Sequence, residues 1–173
     1  MEVLHDILIH HRHYTEDTKQ AVTWEVKGKK NRKIPMTTRV YRSRQGRLYH
    51  VVALPPTHAM NKDMYRTIRE RYPTETLLVL CRSYTSSAWR RTQELQCFTY
   101  EEVKFNLFHH VLVPDYEVVD ELPQGVIKSQ LPKILYHDPV AHALGLQPEQ
   151  VLMIHSRSSQ VGMVRSMRVV APC

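Results

Sequence analysis

The stretch from Gln130 to Leu146, QLPKILYHDPVAHALGL, constrains this chain more than any other. It holds a full specification for one short helix. Asp138 is an N-cap residue whose carboxylate can accept a first-turn amide, and Pro139 suits the first helical position, where no N–H is missed. Val140, Ala141 and Leu144 supply an apolar stripe, and Gly145 can take the left-handed conformation that ends the helix. Upstream, Leu131, Ile134 and Leu135 flank Pro132, which holds the approach extended or at a sheet edge. Downstream, Val151, Met153 and His155 alternate with Leu152 and Ile154, a polar turn spans Ser156 to Gly162, and a return strand runs from Met163 to Val170. Together these elements predict a small α+β module.

The rest of the chain is long enough, at 173 residues in all, for one large domain or two small ones. With 42% hydrophobic and 24% charged residues it can bury a core. Cys81, Cys97 and Cys173 have no CxxC spacing, which suits a reducing compartment. Met1 leads into Glu2, His5 and Asp6 rather than a leader, and no apolar run approaches the roughly 20 residues of a bilayer span. A soluble, intracellular protein without a membrane partner is expected. The formal charge is +7, and between Glu25 and Asp63 there is no acid at all, while Lys27, Lys29, Lys30, Arg32 and Lys33 crowd one run. Such a field attracts phosphates or simply keeps a loop solvated.

Along the amino-terminal part, Val3, Leu4, Ile7 and Leu8 have helical spacing. His10, His11 and His13 invite a metal, but zinc needs about four ligands and nothing nearby completes a spacing. A polar helix end beside the C-terminal dipole accounts for them. Strands are predicted from Trp24 to Val26, at Thr37 to Tyr41 as a sheet edge, from Arg47 to Leu54 and from Thr76 to Cys81. The last, TLLVLC, is continuously apolar apart from its first residue, as for a strand covered on both sides. Met60, Met64 and Ile68 share a helical face closed by Pro73, and Ser86 or Ser87 can cap a helix running through Glu94 and Leu95. Gln96 to Phe98 reads as a short strand, and Thr99-x-x-Glu102 as a capping box opening one more turn. Strand, helix, strand, helix, strand predicts a parallel α/β layer.

The ordered set HHVLVP (His109 to Pro114), QLPKI, DPVAHALG, QVLMIHSRSSQVG and RVV closely resembles the carboxy-terminal assembly domain of one RNA polymerase subunit, the fifth-largest in eukaryotic nuclear polymerases, which has an archaeal counterpart. The amino-terminal half resembles that subunit's jaw domain more loosely, through a strand ending in prolines, a helix, an apolar strand and a TSSA motif in which Ser86 replaces the usual proline. The resemblance implies a jaw over 1–107, α/β and restriction-endonuclease-like, and an α+β assembly domain over 108–173. It implies that the assembly domain docks on the largest subunit through Leu131, Pro132, Ile134, Asp138, Pro139, His142, Gly145, Arg157 and Arg168. It also implies that Thr85, Ser86, Ser87, Arg90 and Arg91 lie near downstream duplex DNA, held without sequence reading. A nuclear location follows, nucleolar for a polymerase I copy.

Four departures from that family stand out. The basic run at 27–33 is not one of its signatures, and Asp115 to Ser129 is too short and turn-rich for the helix usual there. Arg-Gly-Gln has become Pro148-Glu149-Gln150, and the turn at Ser156 to Gly162 keeps only a small, polar character and the glycine.

Catalysis is not expected of this chain, nor a cofactor or metal of its own. A polymerase centre clusters carboxylates around Mg²⁺, whereas Asp115, Glu117, Asp120 and Glu121 fall in a Pro/Gly-containing linker with no strand scaffold. The alternative is a free-standing basic α/β nuclease or DNA-binding protein. Glu25-Val26-Lys27 and Glu102-Val103-Lys104 match half of a restriction-type site, but the preceding acid on a strand is missing.

Overall fold

The structure is a computed structural model and describes residues 1–17, 21–27, 33–84, 94–158, 160 and 162–171. It divides into two compact units, Met1–Phe105 and Asn106–Cys173.

The first unit opens with α1 (Glu2–Asp6), continued by a π-helical turn over Ile7–His11. The strands β1 (Thr15–Glu16), β2 (Val22–Lys27), β3 (Lys33–Arg42) and β4 (Leu48–Ala53) follow. Then come α2 (Lys62–Arg71), β5 (Thr76–Cys81) and β6 (Leu95–Thr99). They form one six-stranded sheet ordered β1-β3-β4-β5-β6, with β2 also on β3. The pairs β4–β5 and β5–β6 are parallel, as the alternation of elements predicts.

The apolar run of β5 is buried at every position because the sheet is covered on both faces. Leu77, Val79 and Cys81 pack with Met64 and Ile68 of α2, while Leu78 and Leu80 pack with Leu4 and Leu8 of the amino-terminal helix. Full burial of such side chains stabilises by about 1.5–3 kcal/mol each. The Asn61 side chain accepts the Met64 N–H at 2.9 Å to start α2, and the chain leaves the helix at Tyr72, one residue before Pro73. The Thr99–Glu102 capping box forms reciprocally, with Thr99 N–H on Glu102 Oε2 at 2.7 Å and Glu102 N–H on Thr99 Oγ1 at 3.2 Å.

Three expectations need correction. The stretch Thr37 to Tyr41 is no edge, because β1 and β2 both lie against β3 on the side away from β4. The helix expected through Leu95 does not reach it. Leu77 N–H donates to Glu94 O at 2.8 Å, and Leu95 already belongs to β6. Asp115 to Val119, expected in a linker, is strand β7, recruited by an antiparallel partner that its own exposed, charged sequence did not announce.

The second unit holds β7 (Asp115–Val119), β8 (Lys133–Leu135), α3 (Pro139–Leu144), β9 (Val151–Ser158) and β10 (Gly162–Ala171). Its four-stranded sheet has the order β7-β9-β10-β8, with β8 and β10 parallel. The hairpin is as expected, with strands that reach further into the turn. Ile134, Tyr136, Val140, Ala141, Leu146, Leu152 and Val170 form its core. No helix among the described residues is long and apolar enough to cross a membrane.

Candidate functional site

The short helix α3 is built as its sequence specifies. Asp138 Oδ1 accepts the Val140 N–H at 2.9 Å, Pro139 occupies the first turn, and Gly145 ends the helix at φ 71° and ψ 22°. Leu146 N–H then donates to Ala141 O at 3.0 Å, which satisfies a terminal carbonyl. The buried stripe is Val140, Ala141 and Ala143, with Leu146 beyond the cap, while Leu144 is only half-buried.

Not all of the expected interface residues are available to a partner. Ile134 is enclosed in the unit's own core, so its role is internal packing. Asp138 is engaged as a cap, and His142 is half-buried rather than fully displayed. Pro132, Pro139, Arg157 and Arg168 are exposed, and Leu131 and Gly145 are half-buried. The register separates the two arginines. Arg157 lies opposite Met163 and Arg168 opposite Leu152, so their side chains leave opposite faces of the sheet.

Arg168 falls on the face that carries Tyr116 and the core. The Tyr116 phenol is held above its ordinary value, chiefly by burial and further by the Asp138 charge, with Arg168 opposing. On the other face, Glu117 Oε2 lies 3.4 Å from His155 Nε2, so this acid of β7 serves a cross-strand pair.

Large apolar side chains also stand in solvent. Val111 and Leu112 are 92% and 82% exposed, and Leu135 is 71% exposed. The first two sit in a turn where Val113 N–H donates to His110 O at 2.9 Å and Leu112 N–H to His110 Nδ1 at 3.2 Å. The family signature HHVLVP contained both residues, but two adjacent apolar residues without periodicity do not declare their exposure.

In the first unit, Thr85, Ser86, Ser87, Arg90 and Arg91 lie outside the described residues. The basic segment is partly neutralised. Lys33 Nζ pairs with Glu25 at 2.8 Å, Arg39 with Glu16 at 3.2 Å, and Arg42 with Asp17 at 2.8 Å. The nuclease-like tripeptides are similarly engaged, since Glu25 holds Lys33 and Glu102 completes a cap.

Sequence reasoning missed Arg12. Its guanidinium is buried, donates to Gln96 Oε1 at 2.8 Å and lies 5.7 Å from the Phe98 ring centre, so it ties the amino-terminal helix to β6.

Residues 105–170 match the family described as RNA polymerase Rpb5, C-terminal domain. The chain is 35% identical over 74 residues to DNA-directed RNA polymerase subunit Rpo5 of Pyrococcus horikoshii, an alignment covering 39% of this chain and 90% of that protein. It is 39% identical over 67 residues to subunit Rpo5 of Archaeoglobus fulgidus, covering 35% of this chain and 88% of the relative. Against subunit Rpo5 of Thermococcus kodakarensis it is 36% identical over 74 residues, again 39% and 90%. Identity of 35–39% along 88–90% of these relatives shows that the chain belongs to the Rpo5 family of DNA-directed RNA polymerase subunits.

Proposed function

We propose that this chain is a non-catalytic subunit of a multi-subunit DNA-directed RNA polymerase, with its second unit as the assembly module. The observation that carries the reading is the unit from Asn106 onward. Its capped helix, core and nearly all of its hairpin fall within residues 105–170, the segment that matches the Rpb5 C-terminal domain family. The module docks on the largest subunit through the exposed parts of the Leu131 to Gly145 stretch, the hairpin and the Val111–Leu112 turn. The first unit acts as a jaw near downstream duplex DNA, held by shape and positive charge, with Thr85, Ser86, Ser87, Arg90 and Arg91 closest to it. Its place of work is the nucleus.

Purification of the tagged chain from its own cells tests this. The expected result is co-elution with the largest polymerase subunit that persists in high salt, where screened surface charge no longer holds an adventitious partner. Elution as a free 20.4 kDa protein with nuclease activity would refute it. Joint replacement of Asp138 and Gly145, by alanine and valine, should release the chain from the complex. Reversing Arg90 and Arg91 to glutamate should weaken DNA retention in a salt-dependent way, and unchanged retention at low salt counts against the jaw.

A further inference from the structure

The outer strand of the hairpin is only partly paired. Strand β10 runs against β9 from Gly162 to Val169, but against β8 only from Val169 to Ala171. The cause lies in the sequence just before β8. Pro132 accepts the Val169 N–H on its carbonyl at 3.0 Å but has no N–H to give, and a 3₁₀ turn at Lys128–Gln130 diverts the chain. Among the described residues, no strand lies along the other side of β10 between Gly162 and Arg168.

The direction of the open backbone groups can be counted. Successive residues of a strand send their N–H and C=O to opposite sides. Val170 faces β9 and the turn before it, since its N–H donates to Gln150 O at 2.9 Å and its carbonyl accepts from Glu149 N–H at 3.0 Å. Val169 faces β8. Counting back by twos, Met167, Arg165 and Met163 each present a donor and an acceptor to the open side.

This edge is about 20 Å long. Its register on β9 is one-to-one without a bulge, and it contains no proline or lysine. Of the devices that blunt exposed edges, only charge is present here, supplied by Arg165 and Arg168. Met163 is 57% exposed, and Val164 is also exposed, so apolar side chains stand on both faces.

Charge selects the occupant. Arg165 shares a face with Arg157 and His155 and, two strands away on β7, with Asp115 and Glu117, of which Glu117 already pairs with His155, while Arg168 stands on the other face. The strand carries no acid. A second copy paired antiparallel about Arg165 would set that arginine against itself, and like charges directly opposite destabilise a ladder.

Resting on the reading above, we infer that the open edge of β10 receives an added strand, an extended acidic segment of another polymerase subunit. Its acids lie across from Arg165 and Arg168 and its apolar side chains across from Met163, Val164 and Met167. Main-chain bonds supply affinity, and the alternate side chains supply specificity.

Hydrogen exchange on the full chain, free and within the purified polymerase, tests this. The amides of Met163, Arg165 and Met167 should slow by about a hundredfold or more on assembly, and those of Val164 and Ser166, already directed at β9, by much less. Arg165→Pro removes one outward N–H while leaving the β9 bonds in place, and it should cut incorporation about tenfold or more. The pair Arg165→Glu and Arg168→Glu alters no backbone group and should act in the same direction.

If the chain co-purifies with polymerase yet these amides exchange as fast as in the free chain, or both variants incorporate normally, the edge assignment is wrong and the subunit reading stands. A chain that never co-purifies with polymerase overturns both. A free chain that dimerises, and is made monomeric by Arg165→Pro, would identify the occupant as a second copy and overturn the proposal.

Discussion

At the scale of single residues, two positions govern the short helix α3 and a third carries strain. Asp138→Ala removes the acceptor of the Val140 amide and should cost about 1 kcal/mol. Gly145 sits at φ 71°, where a Cβ costs about 1–2 kcal/mol, so Gly145→Ala should destabilise by a similar amount. Glu149 also has φ 71°. Its exposed pair with Lys128 at 3.2 Å contributes little. Glu149→Gly should therefore raise stability by about 0.5–1 kcal/mol in urea denaturation, the strain relieved outweighing the entropy glycine loses. A loss of stability would mean that this turn prefers the side chain. The Cys81 thiol is pushed up to about 11 by burial, and burial raises Cys97 further. Both should react with alkylating reagents at pH 8 only after unfolding, a contrast that mass spectrometry resolves.

At the scale of elements, β5 carries the first unit because it contributes to both cores. Leu78, fully buried beneath the amino-terminal helix, is the sharper probe of that packing. Leu78→Ala should cost about 2–5 kcal/mol, measured by chemical denaturation. Much of this was legible in the sequence, since TLLVLC is short and apolar, as expected of a strand covered twice. The capped helix α3 and its hairpin were equally legible, because caps, proline and glycine act on neighbouring residues. Strand β7 was not, because Asp-Tyr-Glu-Val-Val offers a mostly exposed strand held by its partner β9. Nor was the burial of Arg12, which depends on Gln96 and Phe98 more than 80 residues away.

At the scale of the whole molecule, buried phenols set an alkaline limit. Tyr14 is pushed up to about 12, first by burial, and burial also raises Tyr41, Tyr100 and Tyr116. Below pH 10 these phenols are protonated in both states. Between about pH 10 and 12 the unfolded chain gives up protons that the folded chain keeps, so stability falls as pH rises. Denaturation midpoints at pH 8 and 11 should show that loss, and Tyr14→Phe should reduce it. His50 works in the other direction. Burial lowers its value, so the unfolded chain gains a proton first as pH drops through about 6.5, and stability declines there.

What the sequence determined by itself was everything enforced between near neighbours: the Asp138 cap, the Gly145 stop, the hairpin alternation and the doubly apolar β5. These, together with the ordered motifs, were sufficient for the family. Tertiary structure alone decided which apolar residues remain in solvent, which cations of the basic segment find acids, and which side of β10 stays unpaired. Each of those depends on a second segment arriving, or being turned away as Pro132 turns the chain away from β10. Burial and strand pairing are properties of two segments at once.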